Sequence, residues 1–179
     1  LARLPGTADE AREAAGALGA GAGDLYLRDR AREATLKRLS LETYRVVHFA
    51  THGLLGEEVG WLGQPALVLD LASDDTEEDG LLTMEEIFNL RLDADAVLLS
   101  ACNTGRGENL RGEGVMGLTR AFFYAGAPVV VVSLWPVSDR STARLIGELS
   151  RRLADGVEVP EALTAARRAL RRHTEVDRW

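Results

Sequence analysis

Hydrophobic positions along the chain fall into two kinds of run. Short, mostly apolar runs alternate with longer stretches in which apolar residues recur at helical spacing. The short runs are YRVVHFA (44–50), PALVLD (65–70), DAVLLSA (95–101) and PVVVVSL (128–134). Their length and β-branched content predict buried strands. GDLYLRD, beginning at Gly23, is a shorter strand candidate. Helical spacing runs over Thr7 to Leu18 and Ala31 to Leu39, and through Leu145, Leu149 and Leu153. A last helix takes Pro160 in its first turn and turns Leu163, Ala166 and Leu170 inward. Thr83-Met84-Glu85-Glu86 has the spacing of a capping box and predicts a short helix there. Gly112 to Ala125 is almost wholly apolar, with Val115, Met116, Leu118, Ala121 and Phe122, which predicts a helix covered on most sides.

Strands that are apolar on both faces and alternate with helices predict a mostly parallel central sheet flanked by helices, a three-layer α/β fold. The sequence shows no internal repeat and no second domain boundary, so one domain over 1–179 is expected. The acidic run at 74–79 reads as a loop insertion.

Composition narrows the function classes. The chain has 179 residues, 46% of them hydrophobic and 27% charged, which suits an ordinary globular domain able to bury its own core. A net charge of −7 disfavours nucleic acid or an anionic membrane as partner of the whole chain, although Arg167, Arg168, Arg171 and Arg172 cluster near the carboxyl end. No apolar stretch has the length to cross a bilayer. The first residues carry no charged-then-apolar leader, and the chain starts at Leu1, so a piece of a longer protein is expected. One cysteine can make neither an internal disulfide nor a thiolate zinc site, which points to a reducing compartment. Lysine occurs once, at Lys37, against abundant arginine, a bias that reads as genomic base composition.

Reactive residue types sit at the ends of two strand candidates. YRVVHFA runs into Thr51-His52-Gly53, and DAVLLSA runs into Cys102-Asn103-Thr104-Gly105. Open α/β sheets hold ligands beyond the carboxyl ends of their strands. If the two strands are parallel neighbours, His52 and Cys102 face each other there. An imidazole can then take the thiol proton or stabilise the thiolate. Gly53 would let the backbone turn sharply, and its N–H with that of Cys102 would form an oxyanion hole. Taken alone, Cys102 reads first as a buried core plug, and His48 as a satisfied core histidine. GEGVMG (112–117) matches G-x-G-x-x-G but begins too far after its strand for a dinucleotide fingerprint. It reads instead as a glycine-rich entry to a packed helix. The acidic loop lacks the spacing of a calcium loop and reads as solvated.

Four blocks together resemble the CHAT domain, a caspase-like cysteine peptidase family. They are LPGTADEARE, ATLKRLSLETYRVVHFATHG, GLLTMEEIFNLRLDADAVLLSACNTG and GEGVMGLTRAFFYAGAPVVVVSLWPVSDRSTARLI. The resemblance implies that His52 in FATHG is the catalytic histidine and Cys102 in SACNTG the nucleophile. It implies a dyad with no obligatory third acid, as in the wider clan of caspases, legumains, gingipains and separases. It places the oxyanion hole at the Gly53 and Cys102 N–H groups and gives Glu113 and Gly114 a structural role. SLWPVSD resembles a separase stretch and would let Asp139 favour a basic side chain before the cleaved bond; Ser138 or Asp139 is also suited to cap the following helix. No cofactor and no metal are implied. The implied partners are a protein or peptide substrate and an upstream tetratricopeptide-repeat or other sensor domain, in a bacterial cytoplasmic setting. The family pattern usually continues past the last helix into a final strand, so a chain cut short of that strand is expected.

Three functions are therefore compared: a cysteine endopeptidase, a catalytically silent partner-binding domain, and a nucleotide-binding flavodoxin-like domain resting on GEGVMG. The first accounts for the most residues.

Overall fold

The computed structural model describes residues 4, 6–55, 62–71, 78–100, 111–133 and 139–172. The helices are α1 (Thr7–Ala17), α2 (Glu33–Arg38), α3 (Met84–Phe88), α4 (Arg111–Tyr124), α5 (Asp139–Ala154) and α6 (Val159–Arg172). The strands are β1 (Val46–Phe49), β2 (Gly53–Leu55), β3 (Pro65–Val68), β4 (Leu81–Thr83), β5 (Ala96–Leu99) and β6 (Val130–Val132). Contacts group them into two compact units. Residues 27–136 form one; the two ends of the chain, 1–26 and 137–179, form the other.

In the central unit, β1, β5 and β6 form a parallel sheet in the order β1-β5-β6. Each of the four residues of β5 is buried, so both faces of this strand are covered, as its unbroken apolar sequence demands. This is the expected α/β class, with a parallel sheet and flanking helices. Val47 and Phe49 lie on the same face as Val97 and Leu99, and Leu118, Ala121 and Phe122 of α4 belong to the same core. The Phe49 and Phe122 rings meet at a centroid distance of 5.5 Å and a tilt of 42°. Full burial of a side chain such as Phe122 contributes about 1.5–3 kcal/mol.

A second sheet was not legible in the apolar pattern. β2, β3 and β4 form an antiparallel sheet in that order. PALVLD is thus a strand, but it is the centre of this small sheet and not part of the parallel one. α4 comes close to it: a Cβ at Gly117 would stand 3.2 Å from Pro65 Cγ and 3.1 Å from Met84 Sδ.

The capping box forms as its spacing predicts. Thr83 Oγ1 accepts from the Glu86 N–H at 3.3 Å, and Glu86 Oε2 accepts from the Thr83 N–H at 2.8 Å. GDLYLRD, by contrast, is not a strand. Leu25 and Leu27 have extended backbones, but short 3-10 turns at Ala22–Asp24 and Arg28–Arg30 bracket them, and Arg28 has φ 55°. They join neither sheet. α4 is also less covered than expected, since Met116, Phe123 and Tyr124 are about half exposed or more.

In the terminal unit α1 packs on α5, and α5 on α6. Leu149 and Leu153 of α5 and Ala166 of α6 are buried, while Leu145, Leu163 and Leu170 of the predicted stripes are half-buried. Gly147 lets α1 approach closely: a Cβ there would meet the Glu13 carboxylate at 2.2 Å, and Glu13 pairs with Arg151 at 3.0 Å.

The turn after α4 requires glycine. Gly126 has φ 112°, and a Cβ there would fall 2.1 Å from the Leu92 carbonyl oxygen. Backbone cannot yield as a flexible side chain can. Gly126→Ala is therefore expected to destabilise the chain by at least about 2 kcal/mol, combining left-handed strain with this clash. A urea unfolding midpoint equal to that of the parent chain would contradict it.

Candidate active site

β1 and β5 are neighbours and parallel, as the sequence argument requires. Their register pairs His48 with Leu98 and Phe49 with Leu99. The ladder continues one step, since the Ser100 N–H donates to the Phe49 carbonyl at 3.1 Å. Both chains therefore leave the sheet side by side at the same edge.

His52 lies three residues beyond β1, at the junction with β2, and is buried. The second sheet holds this junction. The Val68 N–H donates to the His52 carbonyl at 2.8 Å, and the Thr51 hydroxyl donates to the Val68 carbonyl. His52 is thus placed by β1 on one side and β3 on the other.

Gly53 is buried, opens β2 and pairs with Leu67. The bond from Val68 to His52 brackets this pair, which makes it the type whose own N–H groups do not cross the ladder. The Gly53 N–H consequently points away from β3, off the side where β2 has no strand neighbour in its sheet. The sharp glycine turn expected here is not made at Gly53, which is extended. The chain turns through Ala50 to His52 before it.

Cys102 and the residues around it, 101–110, lie outside the described residues, as does Ser138. Asp139 is the first residue of α5, in the terminal unit, and its side chain is likewise outside the description. The structure thus brings the His52 junction and the carboxyl end of β5 together, and gives no position to the thiol.

Sequence reasoning passed over Ser100 and treated His48 as a core residue. The two side chains meet across β1 and β5, with His48 Nε2 3.1 Å from Ser100 Oγ. The available signal was their position: the last polar residues of two parallel strands, on the same face.

The strongest electrostatic feature lies elsewhere in the central unit. Lys37 Nζ contacts Glu33 Oε1 at 2.6 Å, Glu78 Oε2 at 2.5 Å and Glu86 Oε1 at 2.7 Å. Among the described residues, these three carboxylates are the one group near enough together to hold a metal ion, but the lysine ammonium already fills it. Three carboxylates around a point suit a compact ammonium with three donors better than a planar guanidinium. Base composition therefore accounts for the arginines and not for Lys37. Glu33 also accepts from the Gly80 N–H at 3.0 Å. Burial pushes its carboxyl up to about 7, with Lys37 pulling the other way. Burial opposes the charge on Lys37, but its carboxylate partners outweigh it and raise its pKa.

The CHAT domain family matches residues 1–178, and the chain belongs to that caspase-like family. Tetratricopeptide repeat protein 28 of the mouse is 34% identical over 86 residues, covering 48% of this chain and 4% of that protein. Its human counterpart is 35% identical over 86 residues, covering 48% of this chain and 3% of that protein. The chain thus matches only a small part of these relatives' length. No solved structure matches the chain significantly. No helix among the described residues is long and apolar enough to cross a membrane.

Glu33 gives the fold a pH dependence of definite sign. Its folded pKa of about 7 exceeds the ordinary 4.5, so the folded chain holds the extra proton between those values. The stability this group contributes is complete below about pH 4.5 and is lost as the pH rises through 7. Glu33→Gln should flatten the decline of the urea midpoint between pH 5 and 7 to roughly the slope left by other groups. An unchanged slope would show that Glu33 titrates normally.

Proposed function

We propose that the chain is a cysteine endopeptidase domain using His52 and Cys102. The observation that carries the reading is the parallel β1–β5 pairing, which delivers FATHG and SACNTG from adjacent strand ends in a CHAT-family chain. In this scheme His52 takes the Cys102 proton and the sulfur attacks a peptide carbonyl carbon. The carbonyl oxygen becomes an oxyanion, held by the Gly53 and Cys102 N–H groups. The outward direction of the Gly53 N–H suits that task. The tetrahedral species collapses, the C–N bond breaks, and His52 returns its proton to the leaving amine. Water, deprotonated by His52, then hydrolyses the thioester and restores the thiol. The reaction needs no cofactor or metal.

Cys102→Ala should lower cleavage of a susceptible protein or peptide by at least about a thousandfold, with circular dichroism and the urea midpoint preserved. Full activity in that variant would end the proposal. Labelling by a thiol-reactive probe, with and without His52, reports the activation directly.

The likeness to tetratricopeptide repeat proteins supports an upstream helical-repeat partner in a longer chain. A second reading, a silent partner-binding domain, draws on the exposed Met116, Phe123 and Tyr124 of α4. It predicts partner binding that survives Cys102→Ala. Asp139 is proposed to favour Arg or Lys before the cleaved bond. Cleavage profiling of a peptide library should then show a basic preference that Asp139→Asn reduces by tenfold or more, on the order of one charge-assisted hydrogen bond. A profile unaltered by the substitution would remove Asp139 from specificity.

A further inference from the structure

We infer that His48 and Ser100 form a positioning pair that sets the geometry of the His52–Cys102 dyad. The inference rests on the peptidase reading and assigns two residues that reading leaves unused. His48 and Ser100 are each the last polar side chain before a reactive segment, four residues ahead of His52 and two ahead of Cys102. Both lie on the sheet face opposite Phe49 and Leu99, because alternate strand residues share a face. Nothing apolar replaces this contact: Ser100 is 5% exposed, and its hydroxyl lies 3.1 Å from His48 Nε2 and 3.4 Å from the Phe49 carbonyl.

The Ser100 hydroxyl stands between His48 Nε2 and the Phe49 carbonyl, so its contacts cross twice between β1 and β5. Ser100 is buried, which keeps a substrate carbonyl away from its hydroxyl. What these contacts do is tie the last residues of β1 and β5 together just where the regular ladder ends. A dyad needs its two members within hydrogen-bond reach, and a shift of about an ångström can cost about a hundredfold in rate. A part-buried tie at the base of both segments limits such shifts. His48 and Ser100 are positioning residues and touch neither substrate nor the reacting atoms.

The test measures the rate of Cys102 alkylation by iodoacetamide against pH in the parent chain and in Ser100→Ala, Ser100→Thr, His48→Phe and His52→Ala. Urea midpoints are taken for each. The expected result is a parent profile with reactivity near neutral pH that depends on His52. Ser100→Ala and His48→Phe should lose tenfold or more of the rate at pH 7 and move the profile toward that of an ordinary thiol. Ser100→Thr keeps the hydroxyl and should recover most of the rate. A Ser100→Ala chain that is folded and has the parent profile overturns the inference while leaving the dyad intact. Equal losses in Ser100→Ala and Ser100→Thr also overturn it, since they would report packing and not the hydroxyl. A parent profile unaffected by His52→Ala defeats the dyad reading itself, and this inference with it. Labelling of Ser100 by a fluorophosphonate would overturn the positioning role in favour of a nucleophile.

Discussion

The parallel pairing of Val46–Phe49 with Ala96–Leu99 is the constraint on which the central unit depends. These strands are far apart in sequence, so their union closes a long loop at an entropic cost that only good burial offsets. β5 supplies that burial, with no polar side chain until Ser100. The core residues of α4 then have a surface to cover. Once the register is fixed, the departure points of the two reactive segments follow from it. A slip of one residue would carry Phe49 to the opposite face and part His48 from Ser100. The same four residue pairs therefore fix both the core packing and the relative position of the strand ends that lead into the candidate site.

The parallel sheet was legible because its strands are written as short, mostly apolar, β-branched runs, although only β5 is buried along its whole length. α1, α2, α4, α5 and α6 were legible through periodicity, and α3 through the Thr83–Glu86 cap. The small antiparallel sheet was not. β2 and β4 are three residues each, too short to show alternation, and their pairing with β3 depends on contacts distant in sequence. GDLYLRD misled for the complementary reason. Its apolar residues do adopt extended backbone, but a strand is defined by a partner, and local sequence does not reveal one. At the site, His52 and Gly53 could be singled out by residue type and position. That β3 holds the His52 carbonyl could not, because the Val68 N–H is a backbone group that any residue but proline supplies.

Two hydrogen-bonding devices join segments distant in sequence within the same unit, and they differ in kind. The His48–Ser100 contact joins two side chains across neighbouring strands and is demanding in geometry. The Lys37 cluster is a charge-dense knot binding α2 to Glu78 and to α3. Its Glu86 also completes the Thr83 cap, so one carboxylate serves both the start of α3 and the knot. Burial raises the Glu86 carboxyl less than Lys37 and Thr83 lower it, which keeps this carboxylate charged where Glu33 is close to sharing a proton.

The knot has a chemical by-product. Lys37 is the chain's single lysine, and each hydrogen of its ammonium faces a carboxylate. Acylating reagents require the free amine, which here is scarce as well as crowded. Side-chain acylation of this protein is thus a local clock: its speed reports how often α2 parts from the 78–80 turn and α3, without any label having to be introduced.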